Sequence, residues 1–502
     1  MRKIFSHTVF ALAVGLCLRM YFVLKHPAGS GDAILYEQIA TNWLKHHVYA
    51  MDVGGAITPV DIRVPGYPAF LAVIYWLSGK VGAEARFWVM TAQAVVDTLS
   101  CAVAAVLAVV LGWLAWPGRV RVWRVFFAGL WLAVLCPFTA NYVAVPLTET
   151  LATFFTALGV LLLCLMILRF RAADMSEAEL DGLRFLMRWR AEWWGALAGT
   201  AVGLGALFRP ETPLLLITAV LVMGWYWIRA GEWRRMARIF LFMGAGCVVP
   251  LLPWAIRNTV TLHEVQFLAP KNSNLPGELV PYGFMAWEKT WLFRLRDCYV
   301  VAWKLNDDVI KLEDVPARAS DTEEEKERVE ELLEKYNDDE TLTSEEDAGF
   351  GQLAKERTAR HPLRTYVWLP GLRALMLWFT PRIELLPLSG EVFPLRQAWE
   401  DDPVDQSVTS LFGALNAMYV ALGAWGAWRM RRAGAARMTV ALLVSFISLR
   451  TAFLATLETP EPRYVLVCFP VLFALGAQVF GGRLRSDGAG LSTVERTMRE
   501  TA

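Results

Sequence analysis

Charge is what this chain has least of for its size. Of 502 residues only 19 % are Asp, Glu, Lys or Arg, against 56 % apolar residues and 22 tryptophans. That balance excludes an ordinary soluble profile and places the chain in a bilayer. Paired cysteine is also lacking. Of Cys17, Cys101, Cys136, Cys164, Cys247, Cys298 and Cys468, only Cys298 lies well outside an apolar span, which excludes a disulfide framework and a metal-spaced cysteine cluster. The opening MRKIFSHTVFALAVGLCLRMYFVL has no clear small-x-small cleavage site and is followed by many further spans, so it reads as a retained first helix rather than a signal peptide. No nucleic-acid partner is expected.

What is abundant is apolar sequence in long segments. Candidate spans run over residues 5–24, 88–114, 124–139, 147–168, 193–208, 212–228, 237–256, 408–428, 438–457 and 464–480, several of them short of the roughly 20 residues that a crossing helix needs. If these alternate, Arg2 and Lys3, Arg119, Arg121 and Arg124, Arg169, Arg171, Arg184, Arg188 and Arg190, Arg229, Arg234, Arg235 and Arg238, Arg429, Arg431, Arg432 and Arg437, and Arg483 and Arg485 all fall on one side. The positive-inside rule then puts both termini in the cytoplasm. Residues 66–78 and 366–379 are apolar but short, which suits interfacial or re-entrant helices better than crossings.

Two polar regions, 25–65 and 257–407, are left on the opposite face. In the first, Asp32 is expected to cap a surface helix whose Ile34, Leu35, Ile39 and Trp43 meet an apolar surface. Pro59, Pro65, Gly66 and Pro68 make the return stretch turn-rich. In the second, Val329, Leu332, Leu333 and Tyr336 repeat at helical spacing beneath a charged exterior between Ser320 and Asp347, giving a short amphipathic helix. Its carboxylates have no EF-hand order. Farther on, Arg373, Arg382 and Glu384 punctuate an apolar stretch, and a helix there either anchors in the interface or sends its arginines to a phosphate or carboxylate.

Ionisable residues recur at the outward ends of the spans: Asp32 and Arg63, Glu149, Arg209 and Glu211, Arg257, and Glu461 and Arg463. Arginine makes bidentate, charge-assisted contacts to phosphate, so Arg257 in PWAIRN is either a phosphate ligand or an interfacial anchor. Glu461 and Arg463 in EPRY either bind substrate or satisfy each other. A carboxylate beside arginines suits transfer from a phosphorylated lipid, the base accepting a hydroxyl proton while cations stabilise the departing phosphate. Asp32 is the preferred base; Glu149 and Glu211 could instead orient an arginine or a sugar hydroxyl.

The motifs GDAILYEQIA, RVPGYPAFLAVIY, VPLTETLATFF, ALFRPETPLLL, LLPWAIRN and TPEPRYVLVCFPVLF, in this order, resemble those of polytopic GT-C glycosyltransferases. The likeness is to the bacterial group similar to protein O-mannosyltransferases and the aminoarabinose transferase of lipid A. The resemblance implies an all-α polytopic membrane protein, a GT-C-like bundle of about ten transmembrane helices with interfacial helices and a periplasmic insertion. It divides the chain into a transmembrane module at 1–256 with a catalytic first loop at 25–65, a periplasmic region at 257–407, and C-terminal helices and a tail at 408–502. It implies an enzyme of the inner membrane, its site facing the periplasm, that takes sugar from a polyprenyl-phosphate donor and passes it with inversion to a lipid, glycan or protein acceptor among membrane lipids.

On this resemblance Asp32 is the catalytic aspartate. Arg63 matches the RPG-like element with Pro65 and Gly66, and Arg463 and Tyr464 match the terminal motif. Arg209 and Arg257 join the donor-phosphate or substrate-binding set, while Tyr67, Glu149, Glu211 and Glu461 are positioning candidates for sugar or acceptor. A divalent metal such as Mg or Mn is left open, since no ligand spacing fixes one. The chain departs from protein mannosyltransferases in having no long MIR-like domain. The competing readings are a lipid-linked glycan transporter or flippase and a non-catalytic lipid-binding assembly factor.

Overall fold

The computed structural model describes residues 2–117, 121–172, 188–270, 278–388, 395–433 and 436–481. Arg119, Arg184, Arg483 and Arg485, used above to orient the chain, lie outside the described residues. The protein is all-α and polytopic: among the described residues the only sheet is one two-stranded hairpin.

Helix α1 (Arg2–Lys25) leads into α2 (Gly31–His46), strands β1 (Ala50–Val53) and β2 (Ala56–Pro59), and α3 (Gly66–Ser78). The bundle continues with α4 (Arg86–Ala115), α5 (Val122–Val134), the short α6 (Pro137–Tyr142), α7 (Glu149–Arg171), α8 (Ala191–Ala206), α9 (Leu214–Arg229), and α10 (Trp233–Val248), which runs through a 3₁₀ turn into α11 (Leu252–Thr261). Outside the bundle come α12 (Tyr282–Lys289), α13 (Leu295–Val300), α14 (Glu323–Asp339) and α15 (Ser344–Arg360). Helices α16 (Leu369–Phe379), α17 (Leu395–Asp401), α18 (Pro403–Arg431), α19 (Arg437–Ala455) and α20 (Phe469–Phe480) complete the chain.

Seven helical runs among the described residues are long and apolar enough to cross a membrane. They correspond to the expected spans in α1, α4, α7, α10 with α11, α18, α19, and α20 with the 3₁₀ turn before it. The other three expected spans are the shorter helices α5, α8 and α9. Thirteen-residue α3 rises only about 20 Å, less than the roughly 30 Å hydrocarbon core.

Close packing explains why the apolar helices carry so many small residues. A Cβ on Gly199 would lie 1.9 Å from the Met243 carbonyl oxygen, and one on Gly246 would lie 2.2 Å from that of Ala196. Only backbone fits between α8 and α10 at those points. An intramembrane charge pair that the sequence reading did not single out ties α1 to α4 and α5. Buried Arg19 donates Nε to Asp97 at 2.7 Å and Nη1 to the carbonyl of Val134 at 3.1 Å, the pairing that a buried guanidinium requires.

The external helices share their own core of Phe284, Trp287, Trp291, Leu333, Tyr336 and Phe350. Val329, Leu333 and Tyr336 of α14 turn inward as their spacing indicates. Thr322 caps α14, and Thr343 with Glu346 forms a capping box on α15, satisfying the free amides of each first turn.

Arg373 and Arg382, left open by the sequence between interfacial anchoring and an anionic partner, are both buried and hold oxygens of the protein. Arg373 donates to the carbonyls of Leu292 and Lys289, both at 2.8 Å. Arg382 is spent on Asn416 Oδ1 at 3.0 Å and on the Pro462 and Leu377 carbonyls at 2.7 Å. A buried guanidinium needs acceptors, and here main-chain oxygens supply most of them.

Candidate active site

The first loop is built from its turn chemistry outward. Gly54 and Gly55 have φ of 60° and 83°, the doubly left-handed turn that matches the twist of a tight hairpin, and β1 and β2 pair on either side of it. Arg257, midway along α11, then clamps the hairpin base, donating to the Tyr49 carbonyl at 2.7 Å and the Val60 carbonyl at 2.9 Å, with Tyr49 and Trp254 against its guanidinium. Its Nη1 also donates to Asn258 Oδ1 at 2.9 Å, so its guanidinium is occupied by the hairpin and by its own helix.

Beyond the hairpin, Gly66 N donates to the Leu207 carbonyl at 2.8 Å, which ties the segment carrying Arg63 to the end of α8 and the turn carrying Arg209. Asp32 does not cap α2 as expected. The helix begins at Gly31 with Ser30 at the cap position, so Asp32 falls in the first turn and its carboxylate points elsewhere. Oδ1 accepts from Arg63 at 2.9 Å and Oδ2 from Arg463 at 3.4 Å. Ile34, expected against an apolar surface, is 61 % exposed, whereas Ile39 is fully buried.

From Asp32 the charges alternate inward. Arg463 Nε lies 2.5 Å from Glu461 and 3.5 Å from Glu149. Arg209 pairs closely with Glu149 and lies 3.4 Å from Glu211. Glu211 in turn meets Arg450 at 3.0 Å. Tyr464 donates its hydroxyl to Glu461, receives two hydrogen bonds from Arg450 on its carbonyl, and has Arg209 4.7 Å over its ring. Tyr67, by contrast, is fully buried and donates to Gln93 at 2.7 Å. It supports Tyr36, whose ring faces both Tyr67 and Arg63.

Asp32, Glu461, Arg463 and Tyr464 form one wall of a cavity of about 1210 Å³ between the bundle and the external helices, above the roughly 300–1,000 Å³ usual for a small-molecule site. Tyr142 and Glu384, hydrogen-bonded at 2.6 Å, lie on the same cavity. Arg63, Glu149, Arg209, Glu211 and Arg450 stand behind this wall. Exposure grades the acids of the array: the Asp32 side chain is 35 % exposed, Glu211 14 %, Glu461 8 % and Glu149 1 %, so Asp32 is the most accessible of these four. Burial pushes the Asp32 carboxyl up, but Arg63 and Arg463 outweigh it and hold the group below its ordinary value. At Glu461 burial prevails over Arg463 and the carboxyl is held high.

Arg450 was missed because it sits inside an apolar helix that reads simply as a span. An arginine at that depth was the available signal. Each carboxylate of the array faces a guanidinium, and among the described residues no three His, Cys, Asp or Glu side chains gather in a group that could hold a metal ion.

No protein-family model matches the sequence, and no curated protein matches it. Among solved structures the chain is similar to the oligosaccharyltransferase of Archaeoglobus fulgidus tethered with an acceptor peptide, at 13 % identity and a TM-score of 0.49, over 94 % of this chain and 49 % of that one. The A. fulgidus oligosaccharyltransferase AglB in complex with an inhibitory peptide and a dolichol-phosphate gives 13 % identity and 0.46, over 94 % and 50 %. This chain spans about half the length of those archaeal proteins. It is also similar to ArnT from Cupriavidus metallidurans bound to undecaprenyl phosphate, at 13 % identity and a TM-score of 0.38, over 95 % of this chain and 78 % of that one.

Proposed function

We propose that the chain transfers a sugar from a polyprenyl-phosphate carrier to an acceptor hydroxyl at the periplasmic face of a bacterial inner membrane. The observation that carries this reading is Asp32: a cavity-facing carboxylate held by Arg63 and Arg463 at the head of a buried array of paired charges. The motif resemblance supports the same assignment.

In this reaction Asp32 accepts the proton of the acceptor hydroxyl as that oxygen attacks the anomeric carbon. The bond from the anomeric carbon to the phosphate oxygen breaks, its electron pair leaves with the polyprenyl phosphate, and attack from the opposite side inverts the centre. Arg463, which reaches the cavity, stabilises the charge gathering on the phosphate. A phosphate drawing Arg463 away also strips Asp32 of its longer ion pair and makes it a better base. Glu149 and Glu461 position Arg463, and Glu211 with Arg450 positions Arg209.

The test is reconstitution of wild type and Asp32→Asn in lipid with several polyprenyl-phosphate sugars, followed by mass analysis of donor and acceptor pools. Transfer by wild type, with a folded Asp32→Asn protein that still binds undecaprenyl phosphate yet transfers nothing, is the expected result. Undiminished transfer by Asp32→Asn would falsify the assignment of the base. Carrier movement across the membrane without transfer would favour a flippase.

A further inference from the structure

The external helices do more than cover the cavity. They bury Phe284, Trp287, Trp291, Tyr336 and Phe350 to 1 % exposure or less, yet leave Tyr299 48 % and Trp303 37 % exposed. Both of these line the cavity opposite the charged wall. Their rings pair edge to face, with centroids 4.6 Å apart at 82°. Tyr299 lines the same cavity as Glu384 and Glu461, and its hydroxyl is pushed up to about 12, first by burial and then by those two carboxylates.

The segment that carries the two rings is pinned on both sides. Cys298 and Val301 are fully buried. Asn306, in the left-handed region at φ 63°, donates its amide to the Tyr336 hydroxyl at 2.8 Å and accepts from Leu342 N at 2.9 Å. Tyr336 also lies within 3.1 Å of the Lys304 carbonyl and 3.0 Å of the Asp308 carbonyl. Rings held in this way lose little freedom on binding. Exposed aromatic surface thus shares one cavity with Asp32, Glu384, Glu461 and Arg463, a mostly apolar lining with a few charged groups of the kind that orients a ligand. It suits a molecule with one C–H-bearing face and a hydroxylated rim, the partially positive C–H groups meeting the negative face of the ring and the rim meeting the charged wall.

Resting on the transfer reading above, we propose that Tyr299 and Trp303 form a stacking platform for a pyranose ring, so that the external helices read the sugar that enters the site. The ring belongs either to the donor or to a saccharide acceptor, and the two sources separate by experiment.

The test uses the full chain in vesicles as wild type, Trp303→Ala, Trp303→Phe and Tyr299→Ala. Binding of undecaprenyl phosphate is compared with binding of undecaprenyl phosphate carrying hexoses or pentoses, and KM is measured for alkyl glycosides as acceptors. If the platform holds the donor sugar, alanine at either position weakens the sugar-bearing lipids about two- to tenfold and leaves bare undecaprenyl phosphate unchanged. If it holds the acceptor sugar, both lipids bind as before and the acceptor KM rises by a similar factor. In either case Trp303→Phe retains most of the effect, which separates stacking from folding. Equal loss for bare and sugar-bearing lipids, or no change in any arm, overturns the platform. Ring-dependent binding of the sugar lipids in a wild type that transfers nothing keeps the platform and removes the transfer reading.

Discussion

Replacing Gly66 by alanine should cripple the site without touching a charged group. A Cβ there would lie 2.4 Å from the Leu207 carbonyl oxygen, 2.7 Å from the carbonyl carbon and 3.1 Å from the Leu207 Cβ. The obstacle is backbone at the end of α8, so no side chain can swing aside. The oxygen would have to retreat by about 0.6 Å even to reach the 3.0 Å below which such contacts are essentially not seen. Overpacking of this kind costs about 1–3 kcal/mol, and stretching the Gly66 N to Leu207 O bond adds about 0.5–1.5 kcal/mol. The gain from alanine in a helix, about 0.5–1 kcal/mol, offsets only part of this, leaving a net loss of about 0.5–4 kcal/mol. The retreat also moves the segments holding Arg63 and Arg209 apart, and a misplacement of about 1 Å can cost about 10²-fold in rate. Thermal unfolding in vesicles and the transfer rate check both effects. Gly371→Ala is the control, because a Cβ there meets nothing within 4 Å. A Gly66→Ala protein with wild-type stability and a rate within about twofold would refute the reasoning.

Arg450→Met leaves Glu211 buried with only the 3.4 Å contact to Arg209, so it should destabilise by about 3–5 kcal/mol, with Glu211→Gln restoring part of the loss; additive unfolding shifts in the double variant would show that the pair is not coupled. Because Asp32 is held below its ordinary value, its ionised form and the stability it contributes persist above the unfolded pKa and vanish only as pH falls through the lower folded one. Arg463→Gln should therefore shift the acid limb of the kcat/KM profile to higher pH, and a limb that stays put or moves down removes Arg463 as the perturbing charge. Arg257→Lys should cost about 1–3 kcal/mol through lost contacts to the hairpin base while undecaprenyl phosphate binds as in wild type. Lost lipid-phosphate binding in a stable Arg257→Lys protein would instead return Arg257 to the phosphate.

The helical bundle is legible because apolar length is a one-dimensional property, and α1, α4, α7 and α19 announce themselves by it. The site is legible only in part. That Asp32, Glu149, Arg209, Glu211, Glu461 and Arg463 recur at one end of the spans can be read along the chain. Which carboxylate faces which guanidinium cannot, since the partners Asp32 and Arg463 are 431 residues apart. Arg257 shows the limit plainly. In the sequence PWAIRN it is either a phosphate ligand or an interfacial anchor; in the structure its acceptors include the carbonyls of Tyr49 and Val60, and every residue has a carbonyl. The hairpin that presents those carbonyls did leave a signal in Gly54 and Gly55. Asp32 was misplaced by little along the chain, yet entering α2 after Gly31 turned a capping group into the partner of two arginines.

That change of partner follows from where the site is built. Four carboxylates, Asp32, Glu149, Glu211 and Glu461, alternate with four guanidiniums, Arg63, Arg209, Arg450 and Arg463. At the end of a membrane bundle an unpaired charge is too costly to keep, so the array is neutral and most of it is locked. Glu149 is gripped by Arg209 and buried to 1 % exposure, and Glu211 is held between Arg209 and Arg450. A locked carboxylate cannot take up a proton without stranding its arginine. Only at the edge is the constraint loose: Asp32 keeps 35 % of its side chain exposed, and its contact to Arg463 is 3.4 Å long. The inner pairs fix where Arg463 stands, and Arg463 sets how tightly Asp32 is held. The array thus concentrates its freedom in Asp32, the most exposed of its four carboxylates.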